Sequence, residues 1–195
     1  MDLRDPDVWT VVDAEIEGVD FSGSVLDGKV VEDCTFRECR FVGVTFTDCR
    51  FVTCSFEDCD LSGVNFSGVA LHEVRFQGCK LRGVDFAAAF SLRLPEFKEC
   101  MLDEAGFVGV TLPGLKRTRC SAREACFQDA KLQRAEFRGT ELRGALFSGA
   151  DLRKADLRDA QEYVIDPRVT RVEGVRASLP EAAAMLVAMG LRLDP

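Results

Sequence analysis

From residue 34 to residue 63 the chain reads CTFRE CRFVG VTFTD CRFVT CSFED CDLSG when divided every five residues: small, polar, large apolar, polar, polar. A helix would place apolar residues three and four apart, and a half-buried strand would alternate strictly. Neither beats in fives. A large apolar centre with a small residue two positions before it makes one short stretch of strand-like alternation, and the two polar residues that follow turn the chain. Stepping by five from Ile16 gives 15 centres ending at Phe86, and stepping from Phe97 gives 13 more ending at Leu157. Of these 28 centres 24 are Phe or Leu, and 14 of the 15 Phe in the chain are among them, so the period is a repeat and not an accident of composition. Two positions before each centre, 25 of the 28 residues are Ala, Val, Cys, Ser or Thr, the exceptions being Lys29, Pro95 and Leu115.

Short strands joined by corners predict a solenoid. The metre resembles that of the pentapeptide-repeat family, and the resemblance implies that four units close a square coil of 20 residues; the coils then stack at about the 4.8 Å spacing of neighbouring strands. Folding the sequence by twenties places Phe46, Phe66, Phe86, Phe107, Phe127 and Phe147 in one inner column, provided one residue is inserted between Phe86 and Phe97. Cys39, Cys59, Cys79, Cys100 and Cys120 fall in another. Two segments break the metre. In AAAFSLRLPEF, residues 87–97, the phase slips by one, Leu92 serves as an irregular centre and Pro95 takes a small-residue beat, which predicts a kinked coil. In LPGLKRTRCSA, residues 112–122, Arg117 takes a centre beat. A buried, unpartnered Arg is costly, so this coil either bulges to release the side chain to solvent or opens a pocket, with Lys116 and Arg119 forming a small basic spot beside it.

After residue 160 the metre stops. Ser178 and Glu181 have the spacing of a capping box, with Pro180 tolerated in the first turn, and they predict a helix over about 179–189. Ala182, Met185, Leu186 and Met189 share one of its faces, and Gly190 can end it. An amphipathic tail of this kind can cap the open end of a solenoid.

Composition narrows the function. The 195 residues fit one domain of ordinary size. No basic N-terminal region precedes an apolar stretch, and no run of about 18 apolar residues occurs, so the expectation is a cytoplasmic protein without a membrane span. With a formal charge of −8 and a pI near 4.8, the field of the molecule repels a phosphate backbone, and no direct binding of nucleic acid is expected. The nine cysteines are odd in number and lack paired C-x-x-C spacing, as expected of reduced thiols. Eight fall on the small inner beat, where a thiol packs as a small hydrophobe. Cys126 is predicted to point outward and to be the most reactive. His72, the single histidine, sits on an outer beat with no nucleophile or carboxylate set around it. The pairs Glu32/Asp33 and Glu57/Asp58 lie on flat outer faces without a cleft to raise a carboxyl pKa. The expectation is a binding protein, not an enzyme, with no catalytic residues, cofactor or metal.

The charges are unevenly spread. Residues 13–88 carry 14 acids and seven bases, net −7, whereas residues 89–160 carry 11 acids and 13 bases, net +2. Over the N-terminal coils this is about two negative charges per strand spacing, approaching the three or so that duplex DNA carries in the same length. One outer face collects Glu15, Glu17, Glu38, Glu57, Asp58, Glu96 and Glu99, the candidate partner-binding stripe.

The five-residue metre resembles that of the pentapeptide-repeat family. The resemblance implies an all-β fold, a right-handed quadrilateral β-helix over residues 1–160 with repeats from about 14 to 160 and an irregular coil near 87–97. Residues 161–195 would then form a tail whose α-helix caps the rod and joins two copies into a homodimer through Met185, Leu186, Met189, Leu191 and Leu193. The tail YVIDPRVTRVEGVRASLPEAAAML is similar to that of the topoisomerase-protecting branch, the quinolone-resistance proteins and especially the albicidin and microcin immunity proteins. That similarity implies a DNA mimic that binds DNA gyrase, with topoisomerase IV as the other candidate, and confers antibiotic resistance or self-immunity. The competing expectation is a rigid scaffold or signalling module for a non-topoisomerase partner.

Overall fold

A corner every five residues lets each centre face inward on a different side of a square, and the chain does this for about eight turns. The computed structural model describes residues 2–193. It is a right-handed quadrilateral β-helix, nearly all β, with one short C-terminal helix among the described residues. The first face is a parallel sheet of Thr10–Val12, Val30–Glu32, Arg50–Val52, Ala70–His72 and Ser91–Arg93. The second stacks Glu15–Glu17, Thr35–Arg37, Ser55–Glu57, Arg75–Gln77, Glu96–Lys98 and Lys116–Thr118. The third is a ladder of single bridges from Asp20 through Arg40, Asp60, Lys80, Met101, Ser121 and Glu141 to Gln161. The fourth begins with Val25–Asp27 and Thr45–Thr47, reaches Asn65, and after a break resumes at Asp85 through Gly106, Cys126 and Leu146.

The core follows the two apolar beats. Phe46, Phe66, Phe86, Phe107, Phe127 and Phe147 form a continuous stack with centroids 5.7, 5.9, 4.9, 5.2 and 5.0 Å apart. A second stack of Phe36, Phe56, Phe76 and Phe97 meets it edge-on, with Phe86 and Phe97 5.3 Å apart at 76°. Each such ring contributes roughly 1.5–3 kcal/mol of burial, and the parallel and edge-to-face geometries add to that. The eight inner thiols are buried. Each Sγ approaches a carbonyl of the coil above and one two residues earlier, as Cys59 does with Phe36 O at 3.4 Å and Glu57 O at 3.3 Å. Burial pushes the Cys34, Cys39, Cys49 and Cys54 thiols up, Cys54 to about 11, which keeps them protonated donors.

The exceptions to the small beat have local reasons. Lys29 is buried because its ammonium caps the N-terminal end, donating to Asp5 O at 2.9 Å and Val8 O at 2.6 Å beneath the Trp9 ring. Leu115 fills the interior of the coil whose centre beat is Arg117. Corners need positive φ. Gly149 (φ 75°) supplies it without strain, and a Cβ there would stand 2.0 Å from Asp129 Oδ1 of the coil above.

Three details differ from the sequence reading. The inserted residue lies between Phe86 and Leu92, since Leu92 pairs with Leu71 and keeps the five-residue step to Phe97. The β-ladders run on past residue 160: Gln161, Arg171 and Arg176–Ala177 pair with Glu141, Asp151 and Asp156–Leu157. In this irregular last coil Tyr163, Ile165 and Thr170 are buried. The helix spans only Ala183–Ala188, with Ala182 as its N-cap and no side-chain cap. The expected capping box does not form, because the Ser178 hydroxyl accepts the Asp159 N–H instead and ties the tail to the coil above.

Candidate functional site

The outer beats of a square rod are flat, so any site is a face. The second face holds all seven acids of the expected stripe, in three columns with bases between them. Arg37 reaches Glu15 at 3.3 Å and Glu57 at 2.9 Å. Glu96 is held by Arg75 at 3.6 Å and Lys116 at 3.0 Å, and Glu99 by Arg119 at 3.0 Å. Glu17, Glu38 and Asp58 make no ion pair among the described residues. Exposed pairs of this sort contribute little stability, but they cancel the field that a cationic partner would meet, so this face is closer to neutral than its acids alone suggest.

The fourth face shows the opposite arrangement. Its outward positions from Val25 to Gly149 hold Asp27, Asp48, Asp85 and Asp129 and not one Lys or Arg. All four carboxylates are exposed, and none has an ion pair among the described residues. The rest of this face is Gly, Ser, Thr, Asn, Gln, Ala and Cys with Val25, Val108 and Leu146, which leaves it smooth. Asp85 and Asp129 lie flat over Gly106 and Gly149 of the following coils, where a Cβ would come within 2.6 and 2.0 Å of the carboxylate. The signal was present in the sequence: laid out by twenties, these are the columns from which cations are missing.

The tail forms an apolar end. Met185 packs against the core, while Leu186, Val187, Met189, Leu191 and Leu193 are 43–56% exposed. Of the expected dimerisation residues, four therefore face outward and Met185 faces the rod.

Cys126 is half-exposed on the fourth face with its Sγ 3.4 Å from Gln128 Oε1. The His72 ring shares a hydrogen bond with Ser91 Oγ at 2.9 Å. Burial, then Arg93 and Arg50, hold its pKa below the ordinary imidazole value. Among the described residues no group of three or more His, Cys, Asp or Glu side chains is placed to hold a metal, and no helix is long and apolar enough to cross a membrane. The Arg117 backbone continues the ladder opposite Phe97, and its side chain lies outside the described residues. A cavity of about 520 Å³ opens between residues 92–96 and 111–116.

Comparison with known proteins agrees with the architecture. Residues 29–107 match the model of the pentapeptide repeat region, and residues 123–160 match that of pentapeptide repeats in eight copies. No curated protein matches the chain. Similar solved structures include a trypsin-treated form of QnrB1, a plasmid-mediated fluoroquinolone resistance protein. It is 20% identical, with 95% of this chain and 100% of that one covered and a TM-score of 0.46. HetL, a pentapeptide repeat protein involved in heterocyst differentiation regulation in the cyanobacterium Nostoc, is 19% identical, with 88% and 87% covered and a TM-score of 0.43.

Proposed function

The chain belongs to the pentapeptide-repeat family, and we propose that it is a non-catalytic binding protein whose acidic N-terminal half occupies the DNA-binding surface of a type II topoisomerase. DNA gyrase is the first candidate and topoisomerase IV the second, and occupancy protects the enzyme from a poison. The observation that carries this is the fourth face: within the half of the rod that bears net −7, Asp27, Asp48 and Asp85 stand on a smooth surface with no cation to neutralise them. A surface built to receive duplex DNA is cationic and reads charge along a cylinder, and an uninterrupted anionic face on a rigid rod is complementary to it. The similarity of the tail to the topoisomerase-protecting branch supports the same partner. In this proposal the exposed Leu186, Val187, Met189, Leu191 and Leu193 of two copies meet, placing an acidic arm at each end of a longer rod, and the protein works in the cytoplasm.

The test is a supercoiling assay with purified gyrase and a panel of its poisons. The wild-type chain is expected to change the supercoiling rate or to raise the poison dose needed for cleavage. The triple variant Asp27→Lys/Asp48→Lys/Asp85→Lys is expected to lose at least about tenfold in potency, since three like-charge contacts replace three attractions. Absence of any effect at micromolar wild-type protein would overturn the proposal. The near-neutral second face favours a second reading, a rigid scaffold for another partner. A pull-down that returns other proteins and no gyrase subunit would select it.

A further inference from the structure

On the first face the ladder of coils has a breach. Below it, Leu112 N–H donates to Lys131 O at 2.9 Å, Gly114 N–H to Gln133 O at 2.7 Å, and Lys131 N–H to Val110 O at 2.7 Å. The equivalent rungs one coil higher would join Leu92 N–H to Thr111 O, Leu94 N–H to Pro113 O, and Thr111 N–H to Phe90 O. None of the three forms, and Ser91–Arg93 is the last strand of its sheet.

Two residues account for the breach. Phe90 occupies an inner beat that Val69 fills in the coil above and Val110 in the coil below. A ring does not fit there, so it turns out and is 82% exposed. Pro113 has no N–H to offer and sits with Gly114 (φ 71°) in a turn closed by Leu115 N–H to Leu112 O, the arrangement a type II turn favours. A strand-shaped side therefore faces a turn-shaped one across a gap.

The gap is the 520 Å³ cavity, a volume within the range of ligand pockets. Leu92, Pro95, Leu112 and Leu115 contribute its apolar lining, and Leu94, 68% exposed, overhangs it. Its charged rim is Glu73, Arg75, Arg93, Glu96 and Lys116. Arg75 and Lys116 both hold Glu96, whereas Arg93 makes no ion pair among the described residues. The rim thus has three cations to two acids in a chain of net charge −8.

We infer that this breach is a docking groove for an extended, acidic segment of a protein partner, which pairs with the open edge of Ser91–Arg93, sets an apolar residue on the Leu92, Leu112 and Leu115 floor and places a carboxylate beside Arg93. Backbone donors and acceptors left open along a strand edge are matched by another backbone. The rim charge and the free Arg93 select an acidic one. The inference does not rest on the fourth face, which has the opposite sign and lies on another side of the rod.

The experiment titrates ¹⁵N-labelled full-length protein with Ac-Ala-Asp-Leu-Glu-Gly-NH₂ and with its lysine analogue Ac-Ala-Lys-Leu-Lys-Gly-NH₂. The acidic peptide is expected to shift the Leu92, Leu94 and Thr111 amides and to slow their hydrogen exchange. It should bind about fivefold tighter than the lysine peptide, the scale of one exposed charge pair gained against one repelled. Arg93→Glu, at an exposed position that leaves the fold intact, should reverse the order. Equal binding of the two peptides, an order unchanged by Arg93→Glu, or shifts confined to other amides would each overturn the inference. So would binding of anilinonaphthalene sulfonate, an aromatic anion without a peptide backbone, to the groove while neither peptide binds.

Discussion

The two halves of the rod use one metre with different materials. Before residue 90 the inner small beat is mostly Cys and Val, and the first and second faces are three-residue strands. After residue 118 that beat is mostly Ala, nearly every side is a tight turn, and among the described residues the only strand segments are Asp156–Leu157 and Arg176–Ala177. The charges divide at the same place, net −7 over residues 13–88 and net +2 over residues 89–160. Where the second face changes from strand to turn, between Lys116 and Glu136, pairing survives. Where the first face makes the same change, between Leu92 and Thr111, it does not. The change of shape is therefore not what opens the ladder; it opens where Phe90 and Pro113 coincide with it.

The largest test of this comparison is at the joint. Phe86 is 1% exposed and stacks on Phe66 and Phe107 while meeting Phe76 and Phe97 edge-on. Phe86→Ala is expected to cost about 3–5 kcal/mol. Because each coil of a solenoid touches only its neighbours, the loss should fall on the coupling between halves. Calorimetry should then resolve two transitions in place of one. A single transition at lower temperature would mean that the halves remain one cooperative unit through the Phe56–Phe76–Phe97 stack.

A smaller effect distinguishes the C-terminal half by pH. Asp156 is mostly buried and takes four hydrogen bonds from Arg158, with Arg176 at 3.8 Å. The Arg158 side chain above all holds its pKa at about 2 against an ordinary 3.8. A lowered carboxyl pKa stabilises the fold above 3.8 and ceases to do so as pH falls through 3.8 toward 2. The full shift corresponds to about 2 kcal/mol at neutral pH. Asp156→Asn should lose about that much at pH 6 and only a small part of it at pH 2, followed by thermal unfolding. A constant difference across that window would place the stabilisation elsewhere.

Much of this was legible in the sequence because the period is local. Five-residue spacing alone puts Phe66 over Phe46 and Cys79 over Cys59, and one inserted residue is enough to carry the Phe column to Phe147. What depends on side-chain reach was not legible. Columns place Arg37 between Glu17 and Glu57, but only the structure shows it spanning Glu15 and Glu57. The last coil was hidden because its centre beats fall on Glu162 and Pro167 and Tyr163 is buried one position off the step, although Ile165 and Thr170 keep the small-residue beat. Ser178 was read as a helix cap because the Asp159 N–H that occupies it comes from the preceding coil. The base-free fourth face could have been found, had the columns been searched for missing cations as well as for collected acids.

The smallest change tests the breach itself. Phe90 stands in a column of Cys49, Val69, Val110 and Ala130, all small, and it is the only member of that run to leave the interior. Phe90→Val should let the backbone at residue 90 settle inward and bring its carbonyl toward Thr111 N–H. One recovered rung is worth about 1 kcal/mol, and removing an exposed aromatic ring loses no burial, so the variant should be more stable by that order. Slower exchange at the Thr111, Leu92 and Leu94 amides would show the ladder closing, and the acidic peptide should then no longer bind. If Thr111 alone slows while Leu94 stays fast, the turn at Pro113 holds the other side open, and Phe90→Val/Pro113→Lys should close it. If none of the three slows, the two halves are kept apart by the mismatch of their sides and not by the ring, and the contrast drawn between the first and second faces fails.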